Sequence, residues 1–329
     1  MLKYLKPILR TVFDGKPYNK GFKAPRQSIY QRKIEGFRLR SKNSPDYCKT
    51  TIIYQWIEMS YVASIHIYPV KSLDGIAVSQ STILASGALE GDRSFAICDE
   101  AGEFVNTKRN SGLHFLRLSF DLKNRMAGLK IQDTEQEIFF HVDRERPGIE
   151  DWLSNYFGFP VKLIENLLTG FPHDTAAPGP SIISTETIAE VASWFPRVSV
   201  NEMRHRLRAN IEIGDVPAFW EDQLFPEAHE VVRLKIGTVI FEAINPGHPR
   251  ITSTRNYAGK AADPNFQNVL KAKQKEIMPD LVKRGSVNHF SRLIVSMRFS
   301  AQAAGKIVHI GDEVQITNVS KSLFNTLPD

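Results

Sequence analysis

Cysteine is nearly absent from this chain: there are two in 329 residues, Cys48 and Cys98. Two thiols cannot build a disulfide framework, a four-thiolate zinc site or an iron–sulfur cluster. Any redox chemistry must therefore come from another cofactor, and such low usage suits a reducing compartment. Long apolar runs are also missing. The most apolar stretches, such as Thr238–Ile244, fall far short of the roughly 18 residues a membrane-spanning helix needs, so no membrane span is expected. There is no glycine-rich phosphate loop and no GxGxxG, which disfavours nucleotide-binding α/β folds. Acidic residues are scarce at one end only. Residues 1–58 hold 13 Lys+Arg and 4 Asp+Glu of the chain totals of 42 and 36, leaving 29 and 32 in the slightly acidic remainder. The basic excess belongs to the tail, so a nucleic-acid partner is not expected from the overall charge.

Residues 1–58 are broken by Pro7, Pro17, Pro25 and Pro45 and sustain no apolar periodicity, so they read as a disordered extension. Three explanations stand side by side: a mitochondrial-type presequence, a functional basic arm, or sequence upstream of a true start at Met59. The third is favoured, because the regular pattern begins abruptly at Tyr61–Ile67. The prolines count against the amphipathic helix of a presequence. The expected location is cytoplasmic, or mitochondrial if the basic segment is a presequence.

From Tyr61 onward the chain reads as short strands punctuated by turns. Ile65 and Ile67 alternate with His66 and Tyr68 up to Pro69. Ser94–Cys98 and Glu103–Thr107 flank Asp99–Gly102 as a hairpin, and Leu129–Ile131 with Ile138–Val142 form another. Ile149, Trp152, Leu153 and Tyr156 form one helical stripe that Gly158 can stop. Residues 166–180, rich in Pro and Gly, read as a linker. Ser184 can cap a helix carrying Ile188, Val191, Ala192 and Phe195 at i, i+3, i+4, i+7. Strands are expected at Leu207–Ile213, Val231–Ile236 and Thr238–Ile244, and a helix at Pro264–Ile277. Lys306–Ile310 and Glu313–Thr317 are expected to close the chain as a hairpin over Gly311–Asp312. The fold class expected is mainly β with a few helices, α+β, with two β-barrel-like regions. The expected divisions are 1–58, 59–165, a linker at 166–180, 181–319 and a short tail at 320–329.

Several polar residues stand at positions where a ligand could be held. Lys71 and Ser72 follow a strand ended by Pro69, where a loop can present an ammonium and a hydroxyl, although an exposed lysine is also the default surface residue. Arg93 follows a Gly-Asp turn and is equally explained by an ion pair with Asp92 or Glu90. Arg206, Arg208 and Asn210 alternate with Leu207 and Ile211, so a strand would place all three on one face. Ser184 suits a helix cap, and a helix N-terminus is also an anion site. His66 and His309 read as strand-face residues, with no histidine pair at metal-ligand spacing. Glu221 and Asp222 form a carboxylate pair for which holding backbone amides is at least as good an explanation as acid–base work. Phe219 and Trp220 beside them would anchor that loop.

Taken in order, Ile65-His-Ile-Tyr-Pro-Val-Lys-Ser-Leu73, Gly91-Asp-Arg93, Ile182-Ile-Ser184, Arg206-Leu-Arg-Ala-Asn-Ile-Glu-Ile213, Pro217-Ala-Phe-Trp-Glu-Asp222 and Gly305-Lys-Ile-Val-His-Ile-Gly-Asp-Glu-Val314 resemble the MOSC family, named for the C-terminal domain of molybdenum cofactor sulfurase. The layout is similar to the mitochondrial amidoxime-reducing component. The resemblance spans roughly residues 61–318. It implies a MOSC N-terminal β-barrel region, a MOSC domain, and a molybdenum cofactor, a molybdopterin, held by Lys71, Ser72, Arg93, Ser184, Arg206, Arg208, Asn210, Thr254 and Arg255. It further implies an oxidoreductase of the kind that reduces N-hydroxylated compounds, with a small-molecule substrate and an external electron-donor protein. A non-redox module that carries a molybdopterin or another phosphorylated ligand is the alternative.

One departure matters. In reductases of this family a cysteine after the long strand ligates molybdenum. Here Pro246-Gly-His-Pro-Arg-Ile-Thr-Ser-Thr-Arg-Asn256 holds Gly247 and Arg250 at the two cysteine positions, or His248 and Ile251 one place along. A guanidinium has no lone pair to give and an isoleucine has no donor atom, so neither replaces a thiolate.

Overall fold

The computed structural model describes residues 59–106, 109–172, 177–224, 230–243, 265–277, 293–299 and 303–321. They form fifteen strands and four α-helices, a mainly β, α+β architecture as expected. The largest sheet has eight strands. Its members are β1 (Tyr61–Ile67), β2 (Ile76–Val78), β9 (Ser181–Ser184), β10 (Ile211–Gly214), β11 (Glu230–Ile236), β12 (Val239–Ala243), β13 (Val295–Phe299) and β15 (Val314–Lys321), in the order β15-β11-β12-β13-β9-β10-β1-β2. Among the described strands of this sheet only β9 and β10 run parallel. Parallel neighbours need a crossover, and two helices supply it: α2 (Thr185–Ser193) and α3 (Val200–Leu207).

The sheet curls far enough for its members to meet. Tyr61 bridges Glu313, and the Val314 amide donates to the Ser60 carbonyl at 2.8 Å, so the start of β1 touches the start of β15. Among the described residues no continuous ladder closes a barrel; the contact is a single bridge. A register shift between Val62 and Ser64 explains how Val62, Ile65 and Ile67 all enter the core although they do not share one two-residue period. They pack with Ile211, Ile213, Leu234, Phe241 and Met297. Each such side chain contributes about 1.5–3 kcal/mol by leaving water.

A second core lies between α1 (Arg146–Phe157), the pair β4 (Phe95–Asp99) and β8 (Val161–Glu165), and the meander β5 (Leu116–Asp121), β6 (Met126–Ile131), β7 (Glu137–His141). Phe95, Leu113, Leu116 and Ile149 are buried there. The stripe predicted from Ile149, Leu153 and Tyr156 is α1, and Gly158 ends it in the left-handed region at φ +77°. A third cluster packs α2, α3 and α4 (Phe266–Ile277) through Ile188, Met203, Phe266 and Leu270. No helix among the described residues is long and apolar enough to cross a membrane.

Two expectations are corrected. The 207–213 strand begins only at Ile211, because residues 200–207 turn as α3, capped by the Ser199 hydroxyl on the Glu202 amide at 3.1 Å. The closing hairpin does not form either. β14 (Ile307–His309) pairs with β3 (Gln80–Thr82), while β15 pairs with β11. The Gly311–Asp312 turn is present, but it passes the chain from one sheet to another rather than folding it on itself. The helix expected from Pro264 starts at Phe266, and Pro264 lies outside the described residues.

Candidate functional site

Tyr68, just past β1, organises a polar centre. Its amide donates to Asp92 Oδ1 at 2.9 Å, its carbonyl accepts the Arg93 amide at 2.7 Å, and its hydroxyl donates to the Ala209 carbonyl at 3.1 Å. Two guanidinium groups lie over its ring, that of Arg208 at 4.1 Å and that of Arg93 at 5.6 Å from the centroid. Cations favour the negative face of an aromatic ring, so the phenol orients both.

Three of the residues singled out in the sequence hold left-handed backbone: Ser72 at φ +72°, Arg93 at +52° and Arg208 at +56°. For residues with a Cβ this conformation is costly and persists only where surrounding bonds fix it. Ser72 occupies the third position of a turn closed by the Leu73 amide on the Val70 carbonyl at 3.1 Å. Arg208 terminates α3, its amide on the Arg204 carbonyl at 3.0 Å. Arg93 is held on both sides, by the Tyr68 carbonyl and by the Phe171 amide, which donates to the Arg93 carbonyl at 2.8 Å.

Arg93 forms part of the wall of a cleft of about 350 Å³, counting its open mouth, whose polar residues include Asp92, Thr169, Ser181, Asn210 and Ser296. The ion pair with Asp92 foreseen for Arg93 is present, through Nη1 and Oδ2. Arg93 Nε is buried and has no hydrogen-bond partner among the described residues, and the same holds for Arg208 Nη2. Arg208 Nη1 donates to the Leu73 carbonyl at 2.5 Å. Lys71 lies against the same loop: its ammonium donates to the carbonyls of Phe171 and Pro172 at 3.1 and 3.2 Å and sits 4.5 Å over the Phe104 ring.

The structure thus brings Arg93 and Asn210 to the cleft wall, with Lys71, Ser72 and Arg208 around Tyr68 and the adjoining loop. It sends the others elsewhere. Arg206, Arg208 and Asn210 do not share a strand face: Arg206 is on α3, paired with Glu202 and 5.8 Å over the Phe266 ring in the helical cluster. Ser184 is a helix cap. Its hydroxyl accepts the Thr187 amide at 3.0 Å, and its own amide donates to Glu221 Oε2 at 3.3 Å, so an internal carboxylate occupies that helix N-terminus. Thr254 and Arg255, with Gly247, His248, Arg250 and Ile251, lie outside the described residues. Tyr68, Ser181, Thr169 and Ser296 were not singled out by the sequence, because nothing local distinguishes a site hydroxyl or ring from a packed one.

Residues 59–151 match the family model described as the MOSC N-terminal beta barrel domain. The chain therefore carries a MOSC N-terminal beta barrel domain in that stretch. Among solved structures it is similar to the YuaD protein from Bacillus subtilis, at 13% identity over 78% of this chain and 94% of that one, with a TM-score of 0.32. No curated protein matches it.

Among the described residues no group of three or more His, Cys, Asp or Glu side chains could hold a metal ion. Burial pushes the Cys98 thiol above its ordinary pKa, with Asp99 adding to the effect, so it is a poor thiolate. His66 Nε2 lies 3.4 Å from Glu212 Oε1 and 3.2 Å from Ser64 Oγ. One nitrogen serves both contacts, so this is not a nucleophile–base–carboxylate relay, which needs both ring nitrogens. Burial would raise the Glu212 pKa, but bonds from His66 and Arg204 outweigh it and hold the carboxyl below its usual range. His309 serves the turn before β15, its amide on Asp312 Oδ2 at 2.8 Å.

Of the Glu221 and Asp222 pair, Glu221 takes the amide-holding role, on Ser184. Both are in a one-turn 3-10 helix, Trp220–Leu224. Burial raises the Glu221 pKa to about 8 and that of Asp222 to about 7. Phe219 stacks on Trp194 with centroids 5.9 Å apart, and its amide donates to Thr187 Oγ1 at 2.6 Å, which anchors the segment to α2.

Proposed function

We propose that this protein binds a phosphorylated pterin, the molybdenum cofactor, at the Arg93 cleft. The observation that carries this reading is the buried Arg93 Nε, a permanently charged donor with no partner among the described residues, in the wall of a polar cleft. An unsatisfied buried guanidinium donor is costly unless an acceptor arrives, and a phosphate oxygen is the acceptor that matches it. Arg93 and Lys71 supply positive charge for the phosphate, and the Ser296 hydroxyl suits a pterin edge, while those of Thr169 and Ser181 already donate to the Gly170 carbonyl and to Asn210 Oδ1. Arg208 extends the cationic surround through Tyr68.

The residues fit the pterin and phosphate but not the family's metal thiolate, since the sequence has no cysteine after Cys98. When bound, the cofactor supplies two-electron redox chemistry, which with the MOSC assignment supports an oxidoreductase acting on N-hydroxylated compounds with an external electron donor. The missing soft ligand favours a second reading, carriage of the pterin without turnover.

The test is the metal and pterin content of the full chain purified from a host that makes the cofactor, read by elemental analysis and by fluorescence of the released, oxidised pterin. Equal amounts of both support the oxidoreductase. Pterin with little metal supports the carrier, and neither overturns both. Arg93→Ala and Arg208→Ala should each lower pterin content by about tenfold.

A further inference from the structure

Two residues of the cleft wall differ in what they can offer a ligand. The Asn210 side chain has no hydrogen-bonding capacity left. Its Oδ1 accepts from the Ser181 amide at 3.2 Å and the Ser181 hydroxyl at 3.0 Å, and its Nδ2 donates to the His66 carbonyl and to Asp92 Oδ1, both at 3.0 Å. An amide has two acceptor places and two donor protons, and all four are used. Although it lines the cleft, Asn210 is a clamp joining β1, β9 and the Gly91–Arg93 turn.

Asp92 passes that fixation on. One oxygen accepts from the Tyr68 amide and from Asn210; the other takes Arg93 Nη1. The carboxylate is only 8% exposed, so its position is set by these bonds rather than by solvent. Arg93 is then constrained at its amide, its carbonyl, its left-handed φ and one guanidinium nitrogen, with Nε as the buried donor still to be used.

We infer that Asp92, held by Asn210 and the Tyr68 amide, is a positioning residue that aims the Arg93 guanidinium at an anion in the cleft. The inference rests on the phosphate-binding reading above and adds how the site achieves it. A carboxylate beside an anion site has two opposed effects. Its charge weakens anion binding, while its bond pre-orders the donor and removes the cost of ordering it on binding. Here the second effect outweighs the first, because the charge is already neutralised by contact with Arg93 and the donor it orders is buried.

The opposed signs make the test sharp. Asp92→Asn keeps an oxygen for the Tyr68 amide and Asn210 Nδ2 but sets an NH2 against Arg93 Nη1, and it removes one negative charge. The probe is phenyl phosphate, a phosphate monoester, titrated calorimetrically into the full chain. Asp92→Asn should bind it about tenfold more weakly despite the gain in positive charge. In an Arg93→Ala background the same change should have no further effect, since Asp92 acts through Arg93. Equal or tighter binding by Asp92→Asn, or an additive loss in the double variant, overturns the inference. If Asp92→Asn does not fold, Asp92→Glu replaces it: the charge is kept but displaced, and wild-type affinity in that variant overturns the inference equally. Wild-type protein that ignores the probe removes the anion reading itself. Wild-type binding with unaffected Asp92 variants removes only the positioning role.

Discussion

The Glu221 carboxyl receives the Ser184 amide on one oxygen at 3.3 Å, while its other oxygen is buried with no hydrogen-bond partner among the described residues. A half-satisfied acid in such a place is easier to hold neutral than charged, and burial accordingly raises its pKa from 4.5 to about 8. The folded chain therefore binds this proton more tightly than the unfolded chain. The resulting stability is fully present below about pH 4.5 and is lost as pH rises through about 8. Asp222, raised to about 7, acts in the same direction. The melting temperature should fall between pH 6 and pH 9. Glu221→Gln should flatten that fall and be more stable than wild type at pH 9 by roughly 1–3 kcal/mol. An unchanged slope in the variant would place the titration elsewhere.

Ser184→Ala separates a cap from a ligand contact. The hydroxyl accepts the Thr187 amide and sits against Thr187 Oγ1 at 2.7 Å, away from the Arg93 cleft. Its loss should cost about 1 kcal/mol in urea denaturation, the usual cost of a missing cap, with pterin content unchanged. A fall in pterin content without loss of stability would return Ser184 to the cofactor site.

Gly170 and Gly158 are both left-handed, at φ +61° and +77°, but their surroundings differ. A Cβ on Gly170 would meet the Asp92 carbonyl oxygen at 2.7 Å and that of Arg93 at 3.1 Å, whereas one on Gly158 meets nothing within 4 Å. Gly158→Ala should cost about 1 kcal/mol, the backbone penalty alone. Gly170→Ala should cost more, by roughly 1–3 kcal/mol, and should also weaken phosphate binding, because the loop it pushes away donates to the Arg93 carbonyl. Both quantities are read from urea midpoints and from the phenyl phosphate titration.

The sequence made some elements plain for local reasons. Ile65 and Ile67 alternate because β1 has a wet and a dry face; Gly158 marks the end of α1 because few other residues accept its φ; Ser184 marks the start of α2 because its hydroxyl meets a free amide. Where two readings of one pattern compete, the local signal fails. Arg206, Leu207, Arg208 and Asn210 suit a strand by alternation, yet Met203, Arg206 and Leu207 also form the buried side of α3, and packing against α2 and α4 decides for the helix. The pairing of β14 with β3 rather than β15 joins residues more than two hundred positions apart, which no turn signal encodes.

By itself, then, the sequence determined the mainly β class, the order of motifs that resembles the MOSC family, the candidate cations Lys71, Arg93 and Arg208, and the lack of a late cysteine. These depend on residue type and short-range periodicity, which the chain carries wherever it folds. Only the tertiary structure decided that Tyr68 lies beneath two guanidinium groups, that Asn210 is a saturated clamp on Asp92, and that Arg206 lies on α3 over the Phe266 ring. The bonds that fix Tyr68, Asp92 and Asn210 join residues 24 to 144 positions apart. Burial then sets which polar groups have partners among the described residues and which, such as Arg93 Nε, do not.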